Sequence, residues 1–197
     1  MTVSRAVRRL LWGVVLPVGV LVGGAALAHV TVGWMARLSP PDVTLPTAKV
    51  KTAAPGLRRL GDSYVFDHDG LIEARLVGSP EQIGYAHARL LYRDMVETEG
   101  VLYRELERVV DSPLLRTLIF DLAQFRFRNV HEGMSPERLR EIAASAQALQ
   151  PDPYRDVFPT YQRGVYLNAL YDISLSFELS PLVGCTSFVL SPAMLLV

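Results

Sequence analysis

The sequence predicts an α+β domain held behind a single membrane-crossing helix. Three observations predict it: a long charge-free apolar run near the N-terminus, two short strand-like stretches around a turn, and several segments whose apolar residues recur at helical spacing.

The first element is Leu10–Ala36, which contains no Asp, Glu, Lys or Arg. About 20 apolar residues suffice for a helix to cross the hydrocarbon of a bilayer, and Pro17, Gly23 and Gly24 are tolerable there. Arg5, Arg8 and Arg9 precede the run, and only Arg37 lies just beyond it. The positive-inside rule therefore puts residues 1–9 in the cytoplasm and everything after residue 36 outside it. Trp12 and Trp34 stand where interfacial aromatics belong. A cleaved signal peptide is the rival interpretation, because Ala26-Leu27-Ala28 forms an A-x-A site; the apolar run nevertheless continues past it, which favours an uncleaved signal anchor. A buried core helix would rarely be this long and this apolar. The lipid bilayer is thus the first expected partner.

Leu38–Gly56 has four prolines and no helical periodicity, so residues 37–56 are expected to form an extended linker or stalk. The remaining domain is assigned to 57–197. Ser63–Phe66 and Leu71–Val77 are strand candidates joined by Asp67-His68-Asp69-Gly70, a hairpin in which Ile72, Ala74 and Leu76 form the half-buried face. The Asp-His-Asp group could be taken for a metal site, but a polar hairpin tip is the favoured explanation, since no third ligand group is fixed nearby.

Ser79-Pro80-Glu81-Gln82 carries a capping box and opens a helix. Ile83, Ala86, Leu90, Leu102, Leu106 and Val109 follow at roughly helical spacing, up to Pro113. His87 falls near that face and is left without a role. Leu114–Val130 is a second helix, with Arg126 and Arg128 solvated or holding an anion. Ser135-Pro136-Glu137 opens a third, along which Leu139, Ile142, Ala143, Ala146 and Leu149 recur at i, i+3, i+4 and i+7. A fourth is expected from Pro159 to Leu179, with Tyr166, Ala169, Leu170, Ile173 and Phe177 on one side. Cys185–Leu190 then turns strand-like.

Composition excludes some functions. With 20 basic and 20 acidic residues the formal charge is zero, which argues against nucleic acid as a partner. No phosphate-binding glycine loop is present. Cys185 is the only cysteine, so no internal disulfide or zinc-type spacing exists, and no metal or cofactor is expected.

Gly184-Cys185-Thr186-Ser187-Phe188 is the segment that can carry chemistry. Cleavage between Gly184 and Cys185 would leave an N-terminal Cys whose thiol is the nucleophile and whose own amine is the adjacent base. A small buried Cys on a strand is the plain alternative. Together with Gly78-Ser79-Pro80-Glu81-Gln82-Ile83-Gly84-Tyr85-Ala86-His87 and Leu167-Asn168-Ala169-Leu170-Tyr171-Asp172-Ile173, this segment resembles the N-terminal part of the acyl-coenzyme A:6-aminopenicillanic acid (isopenicillin N) acyltransferase-like family of Ntn cysteine hydrolases, over about residues 57–190. The resemblance implies an αββα sandwich and a precursor that cuts itself before Cys185. It also implies an enzyme that hydrolyses an amide or transfers its acyl group, so a small amide or acyl substrate is the second expected partner. By carry-over Cys185 is the nucleophile, Gly184 and Cys185 flank the cleaved bond, Thr186 and Ser187 border the site, and Asp172 supports it.

In that family an Arg-Asn-x-Asp-like segment and further strands follow the nucleophile. Here the sequence reaches Val197, 12 residues after Cys185. The expectation is a truncated precursor, inactive alone, since one missing oxyanion donor can cost about 3–4 kcal/mol of transition-state stabilisation. Two other interpretations stand beside it: a membrane-tethered, non-catalytic helical module that binds a partner or lipid, and a small membrane enzyme using His68 or His131.

Overall fold

The computed structural model describes residues 11–170 and Ile173. The chain starts in the apolar run. Leu11–Val15 is wound as a π-helix and passes into helix α1, Leu16–Met35. Pro17 lies at the junction and has no N–H to offer the carbonyl four residues back, which accounts for the altered winding before it. The helix passes through Ala26-Leu27-Ala28 without a break. No residue of α1 is buried by the rest of the protein, and its Trp12–Met35 span is long and apolar enough to cross a membrane.

Four strands follow: β1 Lys51–Ala54, β2 Leu57–Leu60, β3 Ser63–His68 and β4 Leu71–Arg75. They pair in chain order as an antiparallel meander. The expected hairpin is its second half, in the register Phe66↔Glu73, and its turn is Asp69-Gly70, both at positive φ (51° and 93°). Two adjacent positive-φ residues give a turn whose twist matches that of the flanking strands. The first half corrects the linker assignment, because β1 lies within residues 37–56. Lys51-Thr52-Ala53-Ala54 lacks alternation because both its faces are exposed. Pro55-Gly56 supplies the turn; Gly56 has φ 74°, and a Cβ there would lie 2.7 Å from the carbonyl oxygen of Asp67.

The rest of the assigned linker is not a free stalk either. Leu38 and Val43 pack against a core cluster of Ile142, Ala143, Tyr161 and Val165. Ala48 and Val50 pack against a second cluster, Leu60, Val65, Ala86 and Leu90. The Tyr85 hydroxyl donates to the Ala48 carbonyl at 2.9 Å. The chain from Leu38 to Val50 is therefore a strap laid across the domain.

The hairpin face also needs correcting. Every residue of β4 is exposed, and only Leu76 of the expected inward set joins the core, as a partly buried neighbour. Ser63 and Val65 of β3 supply the buried face instead. The Ser63 hydroxyl also receives the Val77 N–H at 3.0 Å.

Helix α2, Pro80–Leu90, starts at the capping box: the Ser79 hydroxyl accepts from the Gln82 N–H, and the Gln82 side chain accepts from the Ser79 N–H. The expected single helix up to Val109 is in fact two. Leu91 leaves helical geometry (φ −109°, ψ 19°), and α3 runs from Tyr92 to Val109. Neither Gly nor Pro marks the break. It lets Leu90 point into the sheet cluster, where it is fully buried, an effect of about 1.5–3 kcal/mol for a Leu, while α3 turns away. Leu102 and Val109, assigned inward by spacing, are exposed.

Helix α4 spans Pro113–Phe127 and is capped by the Ser112 hydroxyl. Its arginines rest on aromatic rings: Arg126 lies 5.2 Å from the Phe127 centroid and Arg128 4.7 Å from that of Phe125. After a 3-10 turn at Val130–Gly133, α5 covers Pro136–Ala148 with the expected Ser135 cap. Ile142, Ala143 and Leu149 are buried as the spacing predicts. Helix α6 is Thr160–Asn168, the described part of the expected fourth helix; Phe177 lies outside the described residues.

The tightest packing is between α2 and α5. Gly84 faces Glu141 there, and Ala88 packs against Ala148 and Leu149. Small side chains on both helices bring the two backbones together.

Candidate functional site

Asp172, Gly184, Cys185, Thr186 and Ser187 lie outside the described residues. The described chain leads toward them through α6, whose fixation to the domain is well defined. At its C-terminal end the Asn168 amide donates to the Gly164 carbonyl at 2.8 Å, and its Oδ1 accepts from Arg138 Nη2 of α5 at 2.5 Å.

The N-terminal half of α6 is held by a buried charge cluster. The Arg163 guanidinium donates through Nη2 to Asp152 Oδ1 at 2.7 Å, through Nη1 to the Phe158 carbonyl at 3.1 Å, and pairs through Nε with Glu99 of α3. The three side chains are 4%, 2% and 8% exposed for Arg163, Asp152 and Glu99. Asp152 also accepts from the Tyr154 N–H at 3.0 Å and the Thr160 hydroxyl at 2.5 Å. Tyr103 donates to Glu99 at 3.2 Å. One planar cation thus ties α3, the 149–159 loop and α6 together, with the hydrogen bonds that a buried charge requires.

This cluster was not foreseen, although a signal existed. Arg163 stands three residues before Tyr166, on the side that the spacing marks as buried, and a charge at such a position must have partners.

The environment drives the two carboxyls apart. Burial raises the Glu99 pKa, and this outweighs the pull of Arg163 and Tyr103. Burial pushes Asp152 up as well, but hydrogen bonds from Arg163, Thr160 and the Tyr154 N–H outweigh it and leave its pKa lowered. Their stability contributions therefore have opposite signs with pH. The Asp152 contribution is present above its unfolded value of 3.8 and is lost as pH falls through the lower folded value. For Glu99, stability declines as pH rises from its unfolded value of 4.5 through the higher folded one. Urea denaturation of the protein across acidic pH should show both limbs, and Glu99→Gln should abolish the decline on the higher-pH side while leaving the acid limb.

Glu99 and Arg163 also line a cleft of 410 Å³ between α2, α3, α5 and α6, together with His87, Asp94, Arg138 and Glu141. Burial lowers the His87 pKa, which leaves a neutral imidazole at neutral pH, able to accept a proton. On its rim Asp94 Oδ2 is buried without a hydrogen bond, and Arg58 is 3.7 Å away as its ion-pair partner. A second cavity, 280 Å³ and almost wholly apolar, lies between α3, α4 and α6 and is lined by Leu106, Phe120, Phe127, Phe158 and Tyr166 among others.

At the hairpin tip, Asp67 Oδ1 accepts the Gly70 N–H at 3.1 Å, and His68 Nε2 lies 3.8 Å from Glu73. Asp67 is thereby committed to the turn. Among the described residues no group of three or more His, Cys, Asp or Glu side chains is arranged to hold a metal.

The fold and these sites define a mixed α+β domain behind an apolar N-terminal helix. No family model, curated protein or solved structure matches the chain.

Proposed function

We propose that the protein is a membrane-anchored, autoproteolytic cysteine amidohydrolase or acyltransferase of the Ntn type, with α1 as its single-pass anchor and the domain outside the cytoplasm. The observation that carries the anchor is the exposure of α1: it is apolar on all sides apart from His29 and Thr31, and none of its residues is buried by the domain, which in water would be an unstable arrangement. The orientation follows from the basic residues before α1.

The enzymatic part rests on Gly184-Cys185-Thr186-Ser187-Phe188 and its family resemblance. The local form of the earlier resembling segment supports it, since Gly78–His87 runs from just after a strand into a capped helix. In the proposed step Cys185 Sγ adds to the Gly184 carbonyl carbon. The Gly184–Cys185 C–N bond breaks, and the Cys185 nitrogen leaves with a proton as an amine. Water then opens the thioester, giving a Gly184 carboxylate and a free thiol. That thiol attacks the substrate amide with the new amine as its base. Thr186 and Ser187 border this site, and Asp172 supports the approach to it.

The test is the state of the protein purified from its native membrane. A membrane-bound fragment ending at Gly184 and a polypeptide beginning at Cys185, both lost in Cys185→Ala, are expected. An uncut chain identical in wild type and Cys185→Ala would overturn the enzymatic part. It would select the membrane-tethered, non-catalytic helical module instead, which one observation favours on its own: Leu114, Leu118 and Leu122 stand exposed along one side of α4.

A further inference from the structure

Helix α4 has two apolar faces, although a helix on the surface of a soluble domain needs only one. Phe120, Ala123 and Phe127 face inward and line the apolar cavity. On the opposite side Leu114, Leu115, Leu118, Ile119, Leu122 and Phe125 are all exposed, Leu114 and Leu122 to 69% each. At 3.6 residues per turn they form one continuous stripe of roughly 140°.

The position of this stripe points to what covers it. Helix α4 lies against α1, and the two are joined by His29 Nδ1, which is 2.8 and 2.9 Å from the two carboxylate oxygens of Asp121. His29 is the only ionisable residue of α1, and Asp121 borders the apolar stripe. His29 lies six residues before the end of α1 at Met35. At 1.5 Å per residue the joint is about 9 Å inside that end, within the depth at which interfacial helices lie. A polar side chain at such a depth needs a partner, and Asp121 provides it. The C-terminal end of α4 adds two positive charges, Arg126 and Arg128, whose guanidinium groups lie over the Phe127 and Phe125 rings, with Arg128 Nη1 also donating to the Phe125 carbonyl at 2.5 Å. Charges at the end of an apolar stripe match the anionic headgroup layer of a bilayer.

We propose that α4 is a second membrane-contacting element: it lies in the outer interface of the bilayer crossed by α1, with its 114–125 stripe among the acyl chains and Arg126 and Arg128 at the headgroups. This rests on the reading of α1 as an anchor, and the experiment separates the two. The full chain carrying Cys185→Ser is reconstituted in phosphatidylcholine–phosphatidylglycerol vesicles, with single cysteines at Leu118, Leu122, Leu21 or Glu105 labelled with an environment-sensitive fluorophore. Labels at Leu118 and Leu122 should show a blue-shifted emission, loss of iodide quenching and strong quenching by bromine-substituted acyl chains, as Leu21 does, while Glu105 stays aqueous. Aqueous behaviour at Leu118 and Leu122 with a lipid-exposed Leu21 would overturn the inference and leave the anchor standing. Aqueous behaviour at Leu21 as well would remove both. Labels at 118 and 122 shielded from iodide and brominated lipid alike would mean that protein, such as a second copy, covers the stripe, and would also overturn it.

Discussion

Replacing Arg163 with Met is expected to destabilise the domain by about 3–5 kcal/mol, the usual cost of removing one partner from a buried ionic group. Two carboxylates depend on this guanidinium, through Nη2 to Asp152 and Nε to Glu99. Both would remain in an interior that offers them only Tyr103, Thr160 and the Tyr154 N–H. A single domain is stable by about 5–15 kcal/mol in all, so the loss would be roughly a fifth of the total or more. Urea unfolding of the detergent-solubilised chain, followed by far-UV circular dichroism, measures it. Arg163→Lys should be intermediate, because an ammonium keeps the charge but cannot span both carboxylates with a planar fork. The variant in which Arg163, Glu99 and Asp152 are all replaced by apolar residues of similar size should lose less than Arg163→Met, since no charge is then left unpaired. A change below 1 kcal/mol for Arg163→Met would mean that the cluster is solvated rather than buried.

Gly84→Ala gives the second large effect, and propensity predicts it with the wrong sign. In an exposed helix interior the substitution stabilises by about 1 kcal/mol. Here the added Cβ would lie 2.0 Å from the Glu141 carbonyl oxygen and 3.1 Å from the Ser145 N. Both are backbone atoms and cannot rotate away, so α2 and α5 must move apart, and with them Ala88 must leave Ala148 and Leu149. A loss of about 3 kcal/mol is expected, the upper end of ordinary overpacking costs. Gly164→Ala serves as the comparison: its Cβ would meet the Ile142 Cγ2 methyl at 2.9 Å, a side-chain atom that can yield, so its cost should be smaller. Stabilisation by Gly84→Ala in the same unfolding assay would show that the two helices do not cross this closely.

Where local signals and tertiary needs coincide, the sequence is readable. Helix α5 shows both its Ser135 cap and its apolar spacing, and α2 shows its capping box, because these effects act within one turn. The apolar helix α1 is visible from composition alone. Strands β1 and β2 were missed because Lys51–Ala54 and Leu57–Leu60 show no alternation; β1 buries nothing, and its pairing is imposed by neighbours. The Pro55-Gly56 and Gly61-Asp62 turn signals bracketing β2 were the available clue. The break at Leu91 has no local signal, since the burial of Leu90 beneath the sheet determines it. The charge cluster at Arg163 escaped because partners 64 and 11 residues away, Glu99 and Asp152, are unrelated by spacing. The nucleophile segment shows the reverse case: its sequence carries the family resemblance, and its residues lie outside those described.

With α1 as the proposed anchor, the strap from Leu38 to Val50 would govern how the domain could be shed from a membrane. A protease that releases an ectodomain must draw several juxtamembrane residues into its cleft in extended form. A solvated stalk offers them at all times, and release then proceeds at the protease's own pace. Here Leu38, Val43, Ala48 and Val50 must first leave two core clusters, and the Tyr85–Ala48 hydrogen bond must break. When that opening is rapid and reversible, the shedding rate scales with the population of the peeled state. Substitutions in Ile142 or Val165, far from the cut itself, would then set how long the domain stays on the membrane.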